Sequence, residues 1–379
     1  MKMKNIVLST LILGGLALSI SSCKKDDPMG KSNLVIPISY GASTFEANTG
    51  EVEMLIGRFN DLVSLMKSGQ DTTVQIEMSD LMAAWNNGGA NSIKAKSGWY
   101  VQAVETFHFP ELTKNSGKSY HPSYGDTATI GGVFGGRLLD KDAFEILQAV
   151  DKGAYASMFL HQILELGKDG ITPEKIDQML AYYGAHPDFP NTPTAANAEH
   201  PDRFIANYAA RRDKNDGTGY YSKIKYNFIT LQAACVSGSS YQDEKNQAFS
   251  ELIKSIERSI MATSINYLYA TVDKLSKTKP TDEDKAGALH DLSEAISFMY
   301  GFVNLNSTHI HIQKTQLEDI LLMLQFDGNQ IHPLYRFTND PISYLPKILD
   351  AQAKLKEIYD FTDQEMNDFK SNWVSVQGR

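Results

Sequence analysis

His290 and Glu294 stand four residues apart in Leu289-His290-Asp291-Leu292-Ser293-Glu294-Ala295. On a helix, side chains at that spacing leave from the same face. An imidazole and a carboxylate so placed suit a divalent transition metal, or a hydrogen-bonded pair that closes a core. At roughly 100° per residue, Ser297 and Gly301 continue the same narrow polar stripe. Leu289, Leu292, Ile296, Met299 and Val303 flank it on one side, with Phe298 and Phe302 beyond the other. Such a stripe is a water-facing edge, a buried structural pair, or a ligand or metal site. Spacing alone leaves all three open.

Other groupings carry less. His309-Ile310-His311 puts two imidazoles on one side of an extended segment, with no third ligand within reach by sequence, and reads as loop decoration. His186 and His200 bracket a proline-rich loop, 185–201, in which Asp188 and Glu199 could join them; the loop reading is again preferred. No Gly-x-Ser-x-Gly elbow occurs, so Ser/His/Asp catalysis has no nucleophile turn. His-Glu-x-x-His is also absent, which excludes the familiar zinc-protease helix. Gly131-Gly132 and Gly135-Gly136 are not followed by Lys-Ser/Thr, so they read as hairpin turns rather than a phosphate loop. Cys235 sits in Leu231-Gln232-Ala233-Ala234-Cys235-Val236, the setting of a small buried hydrophobe rather than a nucleophile.

The elements that must position these groups are mostly helices. Apolar spacing of 3.6 residues predicts helices over 51–67, 79–85, 142–166, 173–183, 203–212, 220–236, 241–275 and 281–303. Ser79, Thr172 and Thr281 are the expected caps, and Thr315-Gln316-Leu317-Glu318 is an expected capping box. Segments 345–359 and 362–373 close the chain. Residues 33–50 are β-prone, with Pro37 confining them to an edge strand or an extended arm. Residues 91–140 are the least regular. The fold class is therefore all-α, a multi-helix bundle with a small β-prone N-terminal part.

The first residues carry an address. Met1-Lys2-Met3-Lys4 precedes an apolar run from Ile6 to Ile20, the pattern of an export signal and too short to span a bilayer. Leu18-Ser19-Ile20-Ser21-Ser22-Cys23 resembles the lipobox of bacterial lipoproteins, in which the cysteine is acylated and becomes the first mature residue. The expected organisation is a signal peptide at 1–22, a lipidated Cys23 with a linker to residue 32, and a helical domain from 33 to 379. Lys24-Lys25-Asp26-Asp27 resembles the surface-export signal of Bacteroidetes lipoproteins, so the expected place is the outer membrane, facing the surface or the periplasm. Without the two lysines of residues 1–22, the 36 basic and 45 acidic residues become 34 and 45, a balance of −11. An acidic chain without basic clusters argues against nucleic acid. With Cys23 given to lipid, Cys235 has no partner for an intramolecular disulfide.

Several stretches, in order, resemble a family of Bacteroidetes lipoproteins, domain of unknown function 4856. They are Ile36-Pro37-Ile38-Ser39-Tyr40, Gly57-Arg58-Phe59-Asn60, Asp151-Lys152-Gly153, Tyr182-Tyr183-Gly184 with Asp188-Phe189-Pro190, Arg211-Arg212-Asp213, and the His290–Glu294 block through Phe302. That family is distantly similar to imelysin-like proteins, helical bundles of the cell envelope associated with iron uptake. Their Gly-x-His-x-x-Glu motif has no exact copy here. Where many relatives have His-Trp-Asp-Glu, this chain reads Lys175-Ile176-Asp177-Gln178, keeping only Asp177. The resemblance implies a non-enzymatic envelope lipoprotein, a binding or accessory component for uptake of a metal such as iron, or of another nutrient. Its implied partners are the membrane, through the anchor, and outer-membrane uptake components. A divalent metal is the cofactor to look for. A scaffold lipoprotein without a small ligand and a metal-dependent hydrolase using His290 and Glu294 are the alternatives.

Overall fold

The computed structural model describes residues 32–328 and 333–379, and residues 34–379 form one compact unit. Cys23, the expected signal peptide and the expected linker up to residue 31 lie outside the described residues. From Leu34 to Ala42 the chain forms neither helix nor strand and bends at Ile38 and Ser39. Helix α1 (Phe45–Ser68) begins at Phe45 rather than Glu51, because Phe45, Thr49 and Val52 continue the face that buries Leu55, Phe59 and Leu62. Helix α2 (Met78–Asn86) follows Glu77, so Ser79 lies inside the helix and does not cap it.

The stretch expected to be irregular is largely helical. It holds α3 (Ile93–Lys96), α4 (Tyr100–Ala103), a π-helical turn over Val104–His108, and α5 (Phe109–Asn115). Burial sets it, not propensity: Tyr100, Val104, Phe109 and Leu112 are in the core, and Phe109 meets Trp85 edge-on at 5.6 Å. The small β element is the hairpin β1 (Gly132–Phe134) and β2 (Arg137–Leu139), antiparallel with Val133 opposite Leu138. Gly135 and Gly136 both take positive φ, +55° and +75°, which a two-residue hairpin turn requires. The hairpin stands where the paired glycines place it, whereas the β-prone stretch 33–50 forms no strand.

Helix α6 (Ile146–Ala154), a π-helical stretch over Tyr155–Leu160 and α7 (His161–Lys168) run on without a break. The run starts at Ile146, not Asp142, because the Asp140 carboxylate accepts the Asp142 and Phe144 N–H groups and holds them in a turn. Helix α8 (Pro173–Tyr183) has its expected Thr172 cap and a left-handed Gly184. Then come α9 (Phe204–Arg212), α10 (Tyr220–Val236), α11 (Gln242–Leu275) and α12 (Asp282–Tyr300), the last opened by a Thr281/Asp284 capping box. Helix α13 (Lys314–Met323) is boxed by Gln313 and Gln316 rather than by Thr315 and Glu318. The chain ends in α14 (Tyr335–Asn339), α15 (Pro341–Tyr359), α16 (Asp363–Asp368) and α17 (Trp373–Gln377), the last two replacing a single expected helix.

Helix α11 is the spine: α9, α10, α12 and α15 pack on it, α6 packs on α12, and α1 on α8. The fold is mainly helical, as the periodicity required. A buried carboxylate ties distant pieces to the spine. Glu257 accepts the His311 N–H at 2.7 Å, the Ile312 N–H at 2.9 Å and the Tyr359 hydroxyl at 2.7 Å. Among the described residues, no helix is long and apolar enough to cross a membrane.

Candidate functional site

Small residues decide how α6 meets α12. A Cβ on Gly301 would fall 2.4 Å from the Gly153 carbonyl oxygen, so the two backbones are in direct contact there. Ser157 and Ser297 turn their hydroxyls onto their own helices, to Gly153 O and Ser293 O, and present little bulk. Ser293 Oγ accepts the Glu145 N–H at 2.9 Å, fixing the start of α6 against the middle of α12. Longer side chains on either side of this seam are thereby driven together and largely buried.

His290 and Glu294 lie in that seam. The stripe is no water-facing edge at Glu294, 4% exposed, or Ser297, 1%, while the His290 side chain keeps 18% of its surface. Glu145, fully buried, faces His290 with Oε2 2.6 Å from Nδ1. Its other oxygen accepts from Gln70 Nε2 at 3.2 Å and lies 3.8 Å from Arg137. His290 Nε2 stands 3.8 Å from Glu294 Oε1. The same Oε1 is 3.5 Å from the Lys152 ammonium, which also bonds Asp151 Oδ2 at 2.8 Å. Lys152 sits over the Tyr155 and Tyr208 rings, 5.6 and 5.3 Å from their centroids, a favourable place for a cation. Glu294 Oε2 has no partner within 3.5 Å, and the Tyr267 hydroxyl, raised first by burial, lies close enough to this carboxylate to be raised by it as well.

The electrostatics follow from this packing. Burial pushes the His290 imidazole down, but the hydrogen bond and charge of Glu145, with Glu294 behind, outweigh it and hold His290 above its ordinary value. Burial would also strip the proton from Lys152. Asp151, the two tyrosines and Glu294 more than offset that, and the ammonium is held well above its usual range. Burial raises Tyr155, Tyr208 and Tyr267, so these phenols remain donors at neutral pH. Glu145 accepts from Nδ1–H, which leaves Nε2 as the nitrogen open to a proton or a metal. A carboxylate behind a ring N–H is the usual support of a metal-bound histidine.

The remaining sequence candidates resolve differently. His186 and His200 do converge: their rings stack at 3.9 Å, His186 Nδ1 is 2.7 Å from Asp188, and with Glu46, Glu199 and Arg203 they line a cleft of about 310 Å³. His309 and His311 go to different neighbours. His309 stands edge-on to Phe249, whereas His311 Nε2 lies 2.9 Å from Ile358 O. Cys235 is half-buried, its thiol pushed up by burial and 3.3 Å from Ile171 O, which leaves it protonated at neutral pH. Asp177 is fully buried and bonds Tyr40, Thr44 and Asn48, so its role is to hold the N-terminal arm. Cys23 lies outside the described residues.

Sequence reasoning missed Glu145, Arg137 and the role of Lys152. One signal was present: Asp151-Lys152 interrupts an otherwise apolar helical face. It also missed His108, buried with both ring nitrogens unpartnered and pushed down by burial to about 3, hence neutral. Among the described residues, no three or more His, Cys, Asp or Glu side chains group as a metal site. No family model, curated protein or solved structure matches the chain.

Proposed function

We propose that the chain is a non-enzymatic lipoprotein of the cell envelope that binds a divalent cation as cargo at the His290–Glu294 seam. The observation that carries this reading is the buried Glu294 carboxylate, with no close partner on Oε2 but the Tyr267 hydroxyl nearby, beside a carboxylate-supported imidazole. A buried acceptor demands a donor or a cation. Two protein donors hold a metal weakly, which suits delivery rather than permanent tenancy. A catalytic zinc takes three protein ligands, and that donor set favours binding over hydrolysis. The lipobox at Cys23 and the family resemblance supply the envelope location. Lys152 favours one alternative, a purely structural ion cluster, because it neutralises part of the acidic charge.

Titration separates the two. Cobalt(II), as a spectroscopic probe, is expected to bind the purified protein at one site, lost in His290→Ala and weakened about tenfold in Glu294→Gln. Binding strengthens as pH rises through the elevated His290 value, since Nε2 must lose its proton. Stability moves the opposite way. A raised histidine contributes fully below its unfolded value near 6.5 and loses that contribution as pH rises through the folded one. His290→Ala also strands Glu145, at a cost of about 1–3 kcal/mol. Unchanged melts with no cobalt bound would return the seam to plain packing.

The anchor has its own test. Cys23→Ala is expected to abolish labelling by a palmitate analogue and leave unprocessed precursor, with an unchanged helical circular-dichroism spectrum. Label persisting in the variant would remove the assignment.

A further inference from the structure

A second cavity, apart from the His290 seam, has a different chemistry. It encloses about 480 Å³ between α7, the start of α11 and the turn after α12, within the range of small-molecule sites. Its walls include Trp99, His161, Phe249, Asn304, Asn306 and His309. Two glycines let the rings lie directly on backbone. A Cβ on Gly98, at φ +53°, would come 3.0 Å from His161 Nε2, and one on Gly167 would come 2.3 Å from Phe249 Cζ.

Charge does not define this cavity. Glu165 is the one acidic side chain on its wall, and it pairs with Lys168 and lies 3.7 Å from His161 Nδ1. Burial lowers the His161 imidazole, partly countered by Glu165, so it is neutral at pH 7 and offers one donor and one acceptor. The asparagine amides and the Ser307 hydroxyl are likewise both donors and acceptors. Asn304 Oδ1 is taken by Lys314 at 2.7 Å, which leaves its amide N–H groups free to face a ligand. The Trp99 indole N–H is buried away from the open space of the cavity, so the indole meets a ligand through its ring.

An anion would need uncompensated positive charge, and a metal would need a grouped acid and histidine set. An apolar ligand would strand the amides, at a desolvation cost of about 1–3 kcal/mol each in proteins. What remains is neutral, rich in hydroxyls that both give and accept, and apolar on one face to lie on indole or phenyl. We infer that this cavity binds a neutral saccharide. The inference stands independently of the metal reading of the seam.

The test is calorimetry of the full-length protein against glucose, galactose, mannose, N-acetylglucosamine and their common neutral disaccharides. At least one is expected to bind saturably, with affinity insensitive to salt. Trp99→Ala and Asn306→Ala should each weaken it about tenfold or more, whereas His290→Ala leaves it unchanged. Asn306 is exposed in a loop, so its variant keeps the test valid if Trp99→Ala misfolds. No saturation by any sugar up to about 20 mM, a weak limit on the affinity scale, would overturn the inference. So would binding that survives Asn306→Ala, or a salt-sensitive preference for charged sugars.

Discussion

Lys152→Met is expected to destabilise the domain by about 3–5 kcal/mol, because it leaves buried charges without their partner. Lys152 is 8% exposed and is the ammonium nearest both Asp151 and Glu294 in the seam. Methionine keeps most of the volume, so the loss reports charge and not a cavity. Without that ammonium, Asp151 and Glu294 keep their negative charge in the seam with no cation beside them. Lys152→Met combined with Glu294→Gln should recover part of the loss, since the neutral amide needs no counter-charge. Urea melts of the two singles and the double measure this. A strictly additive deficit would mean that Lys152 only fills space.

Asp177→Ala is expected to cost about 2–4 kcal/mol and to release the arm that leads into α1. Its carboxylate accepts the Tyr40 hydroxyl at 2.6 Å, the Thr44 hydroxyl at 2.8 Å and the Asn48 amide at 2.8 Å. Tyr40 is 5% exposed, and loss of the acceptor strands its hydroxyl; Thr44 is exposed and Asn48 half-buried, so water repays part of their loss. Burial, then the hydrogen bond and charge of Asp177, hold the Tyr40 phenol far above its usual range, so it stays a donor. Asp177→Asn retains an acceptor and should lose less. Limited proteolysis should find new cleavage between residues 34 and 44 in the alanine variant. Melts within about 0.5 kcal/mol of the original, with the arm still protected, would show that packing of Phe45 alone holds it.

Asp151-Lys152 and the His290–Glu294 block, two of the stretches behind the family resemblance, meet in the seam. The resemblance leaves Asp177 as the remaining member of a polar motif. In the fold Asp177 has full employment as the arm's acceptor, and it lies on α8, whereas the seam is made by α6 and α12.

Local physics was written in the sequence. Thr172 before Pro173, Gly184 after Tyr183, Thr281 with Asp284 and Thr362 with Glu365 mark helix ends, because a cap is satisfied within three or four residues. Gly135-Gly136 marks a hairpin for the same reason. The i, i+4 relation of His290 and Glu294 is likewise local, and so is the apolar period of α10 and α11. The tertiary structure alone decided which face is dry. The stripe on α12 is buried because Gly301 meets Gly153, and its charges are matched by Glu145 and Lys152, about 145 residues away in the chain. Nothing in a 3.6-residue period encodes that pairing. It depends on how closely two backbones approach, which small residues permit but do not specify. The helices at 93–115 were hidden for the complementary reason, their polar and aromatic residues being held helical by contacts such as Trp85 on Phe109 rather than by a period of their own.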